Sequence, residues 1–220
     1  MNRERTRRTA GRLARSAATY AVAYPLMLRK RCLAWGATRA EQVREMPGDE
    51  LMPSAALVST RAVTIDAPAA AIWPWLAQMG PGRGGAYTYD WIENLLGLDM
   101  HSADTVLEQY QHPQVGDAQR LGEKGPVLRV ALVEPERALV LRSDDGAWVW
   151  AFGLYPDGGG TRLVSRNRIS QPHSNAVTKL LSVYVMEPGS LIMERKMLRG
   201  VKARAERLAR AGLPEPVASR

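Results

Sequence analysis

Between residues 127 and 169 four short apolar segments follow one another, Val127–Val133, Ala138–Arg142, Ala147–Tyr155 and Thr161–Ile169, each parted from the next by turn residues. The separators are Glu134-Pro135-Glu136, Asp144-Asp145-Gly146 and Pro156-Asp157-Gly158-Gly159-Gly160, the chemistry of consecutive antiparallel hairpins. One long amphipathic helix follows: Met193, Met197, Val201, Ala205 and Leu208 form a stripe with Leu198 beside it, and Gly212 and Pro214 end it. A sheet built from such hairpins must cover one face, and this helix is the only element long enough to do so. The pattern predicts an α+β fold in which a curved sheet wraps a helix and leaves a cavity.

The stretch before the hairpins supplies smaller elements. Leu57–Ile65 is rich in β-branched residues and reads as a strand, stopped by Asp66-Ala67-Pro68, with Asp66 as the expected cap of the next helix. Residues 68–78 carry Ile72, Trp73, Leu76 and Met79 at helical spacing, with Pro74 requiring a kink or restart. Tyr89–Leu96 is a second short helix. Thr38 with Glu41 forms a capping box for a helix near 39–45.

Charge is distributed unevenly. Residues 1–31 hold nine of the thirty Lys and Arg and one acid, so the basic leader accounts for the whole formal charge of +8 and the rest of the 220 residues is balanced. A nucleic-acid-binding fold usually spreads its basic residues over a docking face, so no nucleic-acid partner is expected. Ser16–Leu28 is a weakly apolar run whose helical length, about 20 Å, falls short of the roughly 30 Å of a bilayer core. It ends in Arg29-Lys30-Arg31 and not in a cleavage site, which argues against export. Leu13, Ala17, Tyr20, Tyr24 and Met27 share a helical face, which suits either a helix lying on an anionic membrane through residues 3–31 or one packed on its own domain. The organisation expected is a leader over 1–34, a domain over 35–212 and a disordered tail over 213–220, in a cytoplasmic protein, peripheral on the inner membrane face in the first case. The single cysteine, Cys32, cannot form an intrachain disulfide.

The chain resembles the START-like, Bet v 1-like superfamily of helix-grip proteins, also called SRPBCC and grouped with polyketide cyclases and dehydrases. The matching pieces are Ile65-Asp66-Ala67-Pro68 into Ile72-Trp73-Pro74-Trp75-Leu76, the stretch Gly80 to Asp104, and Met193-Glu194-Arg195-Lys196-Met197-Leu198, within about residues 35 to 210. The resemblance implies a seven-stranded sheet and a tunnel for an apolar or amphipathic small molecule, and it does not imply one reaction.

Several groups compete for the site. Gly80 to Gly85 formally satisfies G-x-G-x-x-G but follows a helix and contains Pro81, so the strand-to-helix context of a dinucleotide site is missing. It reads instead as a close-approach loop that puts Arg83 near the pocket mouth. Arg83, Tyr87, Tyr89, Asp90, Trp91, Glu93, His101 and Asp104 lie within 22 residues. For a cofactor-free cyclase or dehydratase, Arg83, Asp90, His101 and Asp104 are the acid, base and oxyanion candidates. The alternative for the same residues is a buried lock of ion pairs and hydrogen bonds. Trp148, Trp150 and Phe152 share one strand face, as do Arg166 and Arg168 on the next strand. The aromatics are candidates to line the cavity with Tyr87, Tyr89 and Trp91, and the arginines to hold a ligand's acidic group. Met186, Met193 and Met197 suit a deformable wall. His101, His112 and His173 sit at no metal-ligand spacing and no G-x-S-x-G elbow occurs, so no metal or cofactor is expected. The function expected is the binding of a small hydrophobic or amphipathic ligand, with the cyclase and a membrane-surface module as alternatives.

Overall fold

The computed structural model describes residues 19–20, 23–123, 125–170 and 175–212. Most of the leader, His173 and the tail lie outside them. Helix α1 comprises a π-helical turn, Tyr24–Leu28, continuing into Arg29–Leu33. Then come α2 (Arg39–Val43), β1 (Leu57–Ile65), α3 (Ala69–Ala77), α4 (Asp90–Leu95), β2 (Ala118–Arg120), β3 (Val127–Glu134), β4 (Ala138–Ser143), β5 (Trp148–Asp157) and β6 (Gly160–Ile169). Helix α5 closes the chain as Ala176–Leu181, a π-helical turn Ser182–Met186, and Glu187–Ala211.

The strands form one antiparallel sheet in the order β1-β6-β5-β4-β3-β2. Successive hairpins place β3 to β6 side by side, and β1 returns to the far edge of β6 with Arg61 opposite Ser165 and Ser59 opposite Asn167. The described sheet has six strands where the resemblance implies seven, and the three-residue β2 was not anticipated because its sequence, Ala-Gln-Arg, has no β-branched residue.

Alternation gives the sheet two differently covered faces. Ile65, Leu128, Val130, Leu139, Leu141, Phe152, Leu154 and Leu163 point to one core, closed by α3 and by Met197, Leu198, Val201 and Ala205 of α5. Ala62, Val140, Val149, Ala151 and Val164 point to the other side, where Met46 and Met52 from the segment after α2 cover them. This second, smaller core fixes which side remains for a ligand.

Local rules account for the helix ends. Thr38 caps α2, its hydroxyl accepting from the Glu41 N–H and the Glu41 carboxylate accepting from the Thr38 N–H at 2.7 Å, a full capping box. Pro68, not Asp66, stands at the N-cap of α3; the Asp66 N–H instead donates to Glu206 of α5 at 3.0 Å. Pro74 stays inside α3 with no restart, its carbonyl still accepting from the Gln78 N–H. Helix α5 begins seventeen positions before the Met193 stripe, capped by the Asn175 side chain on the Thr178 N–H, because the early turns bury little and show no amphipathic period toward the domain.

Candidate functional site

A cavity of about 210 Å³ lies between the sheet and α5. Trp148 and Trp150 of β5 form one wall, stacked with ring centroids 5.5 Å apart, while Met193 and Met197 of α5 face them across the space. Leu33 of α1, Leu57 of β1, Ala86, and Thr88 and Glu93 at and near α4 also line it, together with the polar side chains Arg61, Asn167, Ser190 and Glu194.

Beside the aromatic wall the cavity is bounded by a buried polar network. Arg61 of β1 and Glu194 of α5 pair directly, with side chains 1% and 7% exposed. Arg61 also donates from Nε to the Cys32 carbonyl at 3.1 Å and from Nη2 to Ser190 Oγ at 3.0 Å. Glu194 accepts from Ser165 Oγ at 2.6 Å and from the Asn167 amide. The two indoles join the network, Trp150 Nε1 donating to Ser165 Oγ at 2.9 Å and Trp148 Nε1 to Asn167 Oδ1 at 2.8 Å. Each tryptophan is thereby held edge-on to the polar floor, with its ring free to form wall. Burial pushes the Glu194 carboxyl above the usual carboxylate range, outweighing the Arg61 charge and the hydrogen bonds that favour ionisation.

The opposite side of the cavity is unsatisfied. The Thr88 hydroxyl lies by the Glu93 carboxyl and favours its ionised form, and apart from that mutual contact Thr88 Oγ1 and Glu93 Oε2 are buried with no hydrogen-bond partner of good geometry among the described residues. Such atoms cost roughly 1–3 kcal/mol each when left unpaired. Burial raises the Glu93 carboxyl above its ordinary range, outweighing the Thr88 hydroxyl that favours ionisation, with the neighbouring Asp90 charge adding to the rise. A carboxyl held toward its protonated form can donate a hydrogen bond to a guest.

Sheet, crossing helix and retained hollow together decide the architecture. The fold is a helix grip. Solved structures similar to this chain include a Mesorhizobium loti protein at 19% identity, covering 69% of this chain and 98% of that one with a TM-score of 0.41. The KanY protein is 14% identical, over 68% of this chain and 97% of its own, with a TM-score of 0.46. A Polyketide_cyc-like protein from Corynebacterium glutamicum is 15% identical, over 77% of this chain and all of its own, with a TM-score of 0.36. No family model matches the sequence, and no curated protein matches it.

Of the ligand-lining residues named from sequence, Trp148, Trp150, Met193 and Met197 come together on the cavity. Phe152 is buried one step beyond, packed on Trp150 at 4.8 Å between centroids. Tyr87 is buried in the main core, its hydroxyl donating to the Trp75 carbonyl at 2.9 Å. Tyr89, Trp91 and Met186 lie at the surface, Tyr89 under the Lys196 ammonium, because each sits on the outward side of its helix or helix start.

The arginines are placed on the other face altogether. Arg166 is buried with Nη1 2.5 Å from Asp49 and with the carbonyls of Glu41 and Arg44 also accepting from it, and Arg168 donates to Asp49 and to the carbonyls of Met52 and Pro53. Strand parity opposes them to Ser165 and Asn167, so they pin the segment over the second core and do not reach the cavity.

The four acid–base candidates are not assembled around the cavity either. Asp90 is occupied by the Ser102 N–H and hydroxyl at 2.7 and 2.6 Å, and Asp104 pairs with Arg204 at 2.8 Å. His101 is exposed beside Asp99. Arg83 lies over the Tyr110 ring and donates to the Ala77 carbonyl, and burial without a paired carboxylate lowers its pKa from the usual guanidinium value. Neither Asp90 nor Asp104 pairs with Arg83. The glycine loop is a tight turn, Gly80 pairing with Gly85, and a Cβ at Gly85 would stand 2.7 Å from the His101 backbone.

The cavity's polar residues Arg61, Asn167 and Glu194, and Ser165 that joins their network, went unnamed as site residues. A signal for two of them exists: Arg61 shares strand parity with inward-facing Ile65, and Glu194 adjoins the apolar stripe of α5, so each is a charge on a face that has to be buried.

Proposed function

We propose that the protein binds a small amphipathic molecule in the cavity between the sheet and α5. The observation that carries this reading is the pairing, in one half-open cavity, of a stacked indole wall with two buried oxygens, Thr88 Oγ1 and Glu93 Oε2, that have no partner beyond each other among the described residues. An apolar body stacks on Trp148 and Trp150 against Met193 and Met197. A carbonyl or hydroxyl head exchanges a hydrogen bond with Thr88 and meets the Glu93 carboxyl, which burial biases toward its protonated form. The volume of about 210 Å³ lies below the roughly 300–1,000 Å³ of drug-sized pockets, which favours a guest of one ring or a short chain over a polycyclic one.

A reaction at the same place would run through Glu93, the lining carboxyl that faces the guest without a cation beside it, acting as general acid toward a carbonyl oxygen. Binding is the primary reading because the base such a reaction also needs is not at hand: Asp90, His101 and Asp104 are engaged or exposed elsewhere.

The deciding experiment is native mass spectrometry of protein purified from its own host, with short-chain fatty acids and simple phenols then titrated onto stripped protein. A retained or saturably bound small molecule, lost when Ala86 is enlarged, is the expected result. A bare polypeptide mass together with no saturable binding overturns the reading.

A further inference from the structure

Three elements meet at the rim of the cavity, α1 through Leu33, α4 through Glu93 and α5 through Ser190 and Met193, and each leaves apolar side chains in solvent. On α1 Leu26 and Met27 are over 70% exposed. On the early turns of α5 Val177, Leu181 and Val185 recur every fourth residue as an exposed stripe, and on α4 Trp91 stands out. Isolated exposed hydrophobes need no explanation, but those of α1 and of the early turns of α5 stand on two helices that touch, and such a set marks a contact surface.

Helices α1 and α5 are fixed to one another as a unit. Tyr20, Tyr24 and Tyr184 form a ring cluster with centroids 5.5 to 6.1 Å apart, Arg29 forks onto Glu187 at 2.8 and 2.9 Å, and the Cys32 thiol donates to the Glu187 carbonyl. The pair therefore presents its outer apolar side as a rigid shelf.

The charges beside this shelf identify what covers it. Lys30, Arg31 and Lys179 are exposed on the two helices. A second copy would bring two such sets of cations together against like-charge repulsion. An anionic bilayer offers both an apolar interior and opposite charge, the combination that seats in-plane amphipathic helices. Among the described residues no helix is long and apolar enough to cross a membrane, so the seating is in the interface.

We infer that the α1–α5 shelf docks the protein on anionic lipid bilayers, with the cavity rim against the headgroup region. This docking is independent of whether the cavity holds a guest. The test is co-sedimentation of the full chain with vesicles of phosphatidylcholine alone or mixed with phosphatidylglycerol, at low and high salt. The full chain is expected to sediment with the mixed vesicles, weakly with phosphatidylcholine, and less as salt rises. The double variant Leu181→Asp/Val185→Asp, at exposed positions, should lose most of the binding while its thermal unfolding stays unchanged. Lys30→Glu/Arg31→Glu should lower partitioning by roughly thirtyfold or more. Absence of binding to mixed vesicles overturns the proposal. So does binding that both variants retain, and so does a concentration-dependent dimer, dissociated by Leu181→Asp, that ignores vesicles.

Discussion

Arg61 and Glu194 stand 133 positions apart in the chain and pair in a site where neither side chain reaches solvent, tying the edge strand β1 to the middle of α5. Hydrophobic packing alone would let the helix settle until the hollow closed. The pair and its collar of Ser165, Asn167 and Ser190 set a polar spacer between helix and sheet. Removing one partner leaves an uncompensated buried charge, so Arg61→Met or Glu194→Leu should cost about 3–5 kcal/mol in urea unfolding. The double replacement should recover much of that loss, and a strictly additive double-variant cycle would refute the spacer.

The Glu93 carboxyl is raised by burial, so its folded pKa lies above its unfolded one. Between those two values the native state binds the extra proton, and stability falls as pH rises through that window. Glu93→Gln should abolish the fall and be the more stable protein at neutral pH. Thermal melts across pH 4 to 8 would expose an unchanged slope, which would show that the shift is not anchored in the cavity.

The parts of this molecule that follow one-dimensional patterns were legible in the sequence. The β3–β6 hairpins, the β1 strand, the Thr38 capping box and the helical stripe of α5 each depend on neighbours within a few residues. The aromatic wall was legible too, because strand alternation alone puts Trp148 and Trp150 on one face. What alternation does not supply is which face the ligand side is. That choice is made by the Met46–Met52 segment, whose Pro47-Gly48-Asp49 is made of turn residues although Met46 and Met52 are buried, and it turned Arg166 and Arg168 away from the cavity. The clustering of Arg83 to Asp104 in sequence was likewise no guide to convergence, since the glycine turn and α4 disperse these side chains over separate partners.

Ala86 lines the cavity and is 7% exposed, so a larger side chain there grows into the space. Ala86→Leu should preserve the fold and weaken a bound guest by roughly tenfold or more, the equivalent of about 1–3 kcal/mol of overpacking. Calorimetric titration of whichever small molecule the protein retains would read this directly. Equal affinity in the two proteins would place the guest elsewhere.

Glu41 closes its capping box and also accepts from Arg162 at 2.7 and 3.0 Å, joining α2 to β6. The Arg162 guanidinium, chief among the causes, holds the Glu41 carboxyl down at about 2 despite its burial. Its contribution is present above the ordinary carboxylate range and is lost as pH drops from about 4.5 through about 2. Solvent screening trims it to on the order of 1–2 kcal/mol. Acid titrations of Glu41→Gln should lack this part of the transition; a curve superimposable on that of the parent protein would count against the pairing.

Asp49 is the single carboxylate between Arg166 and Arg168, and it also accepts from the Met46 N–H at 3.0 Å. Arg166 is 3% exposed, so Asp49→Ala strands a buried guanidinium whose remaining partners are neutral carbonyls and Thr60. A loss of about 3–5 kcal/mol is expected, since the remaining charge has lost its counter-ion. Because the contacts belong to the second core, the loosening should begin there: hydrogen exchange should rise first over residues 39–52, while amides of β5 and the Glu194 region of α5 keep their protection until global unfolding. Uniform deprotection of both faces would mean that the two cores are one cooperative unit, and that the segment after α2 does not choose the ligand side independently.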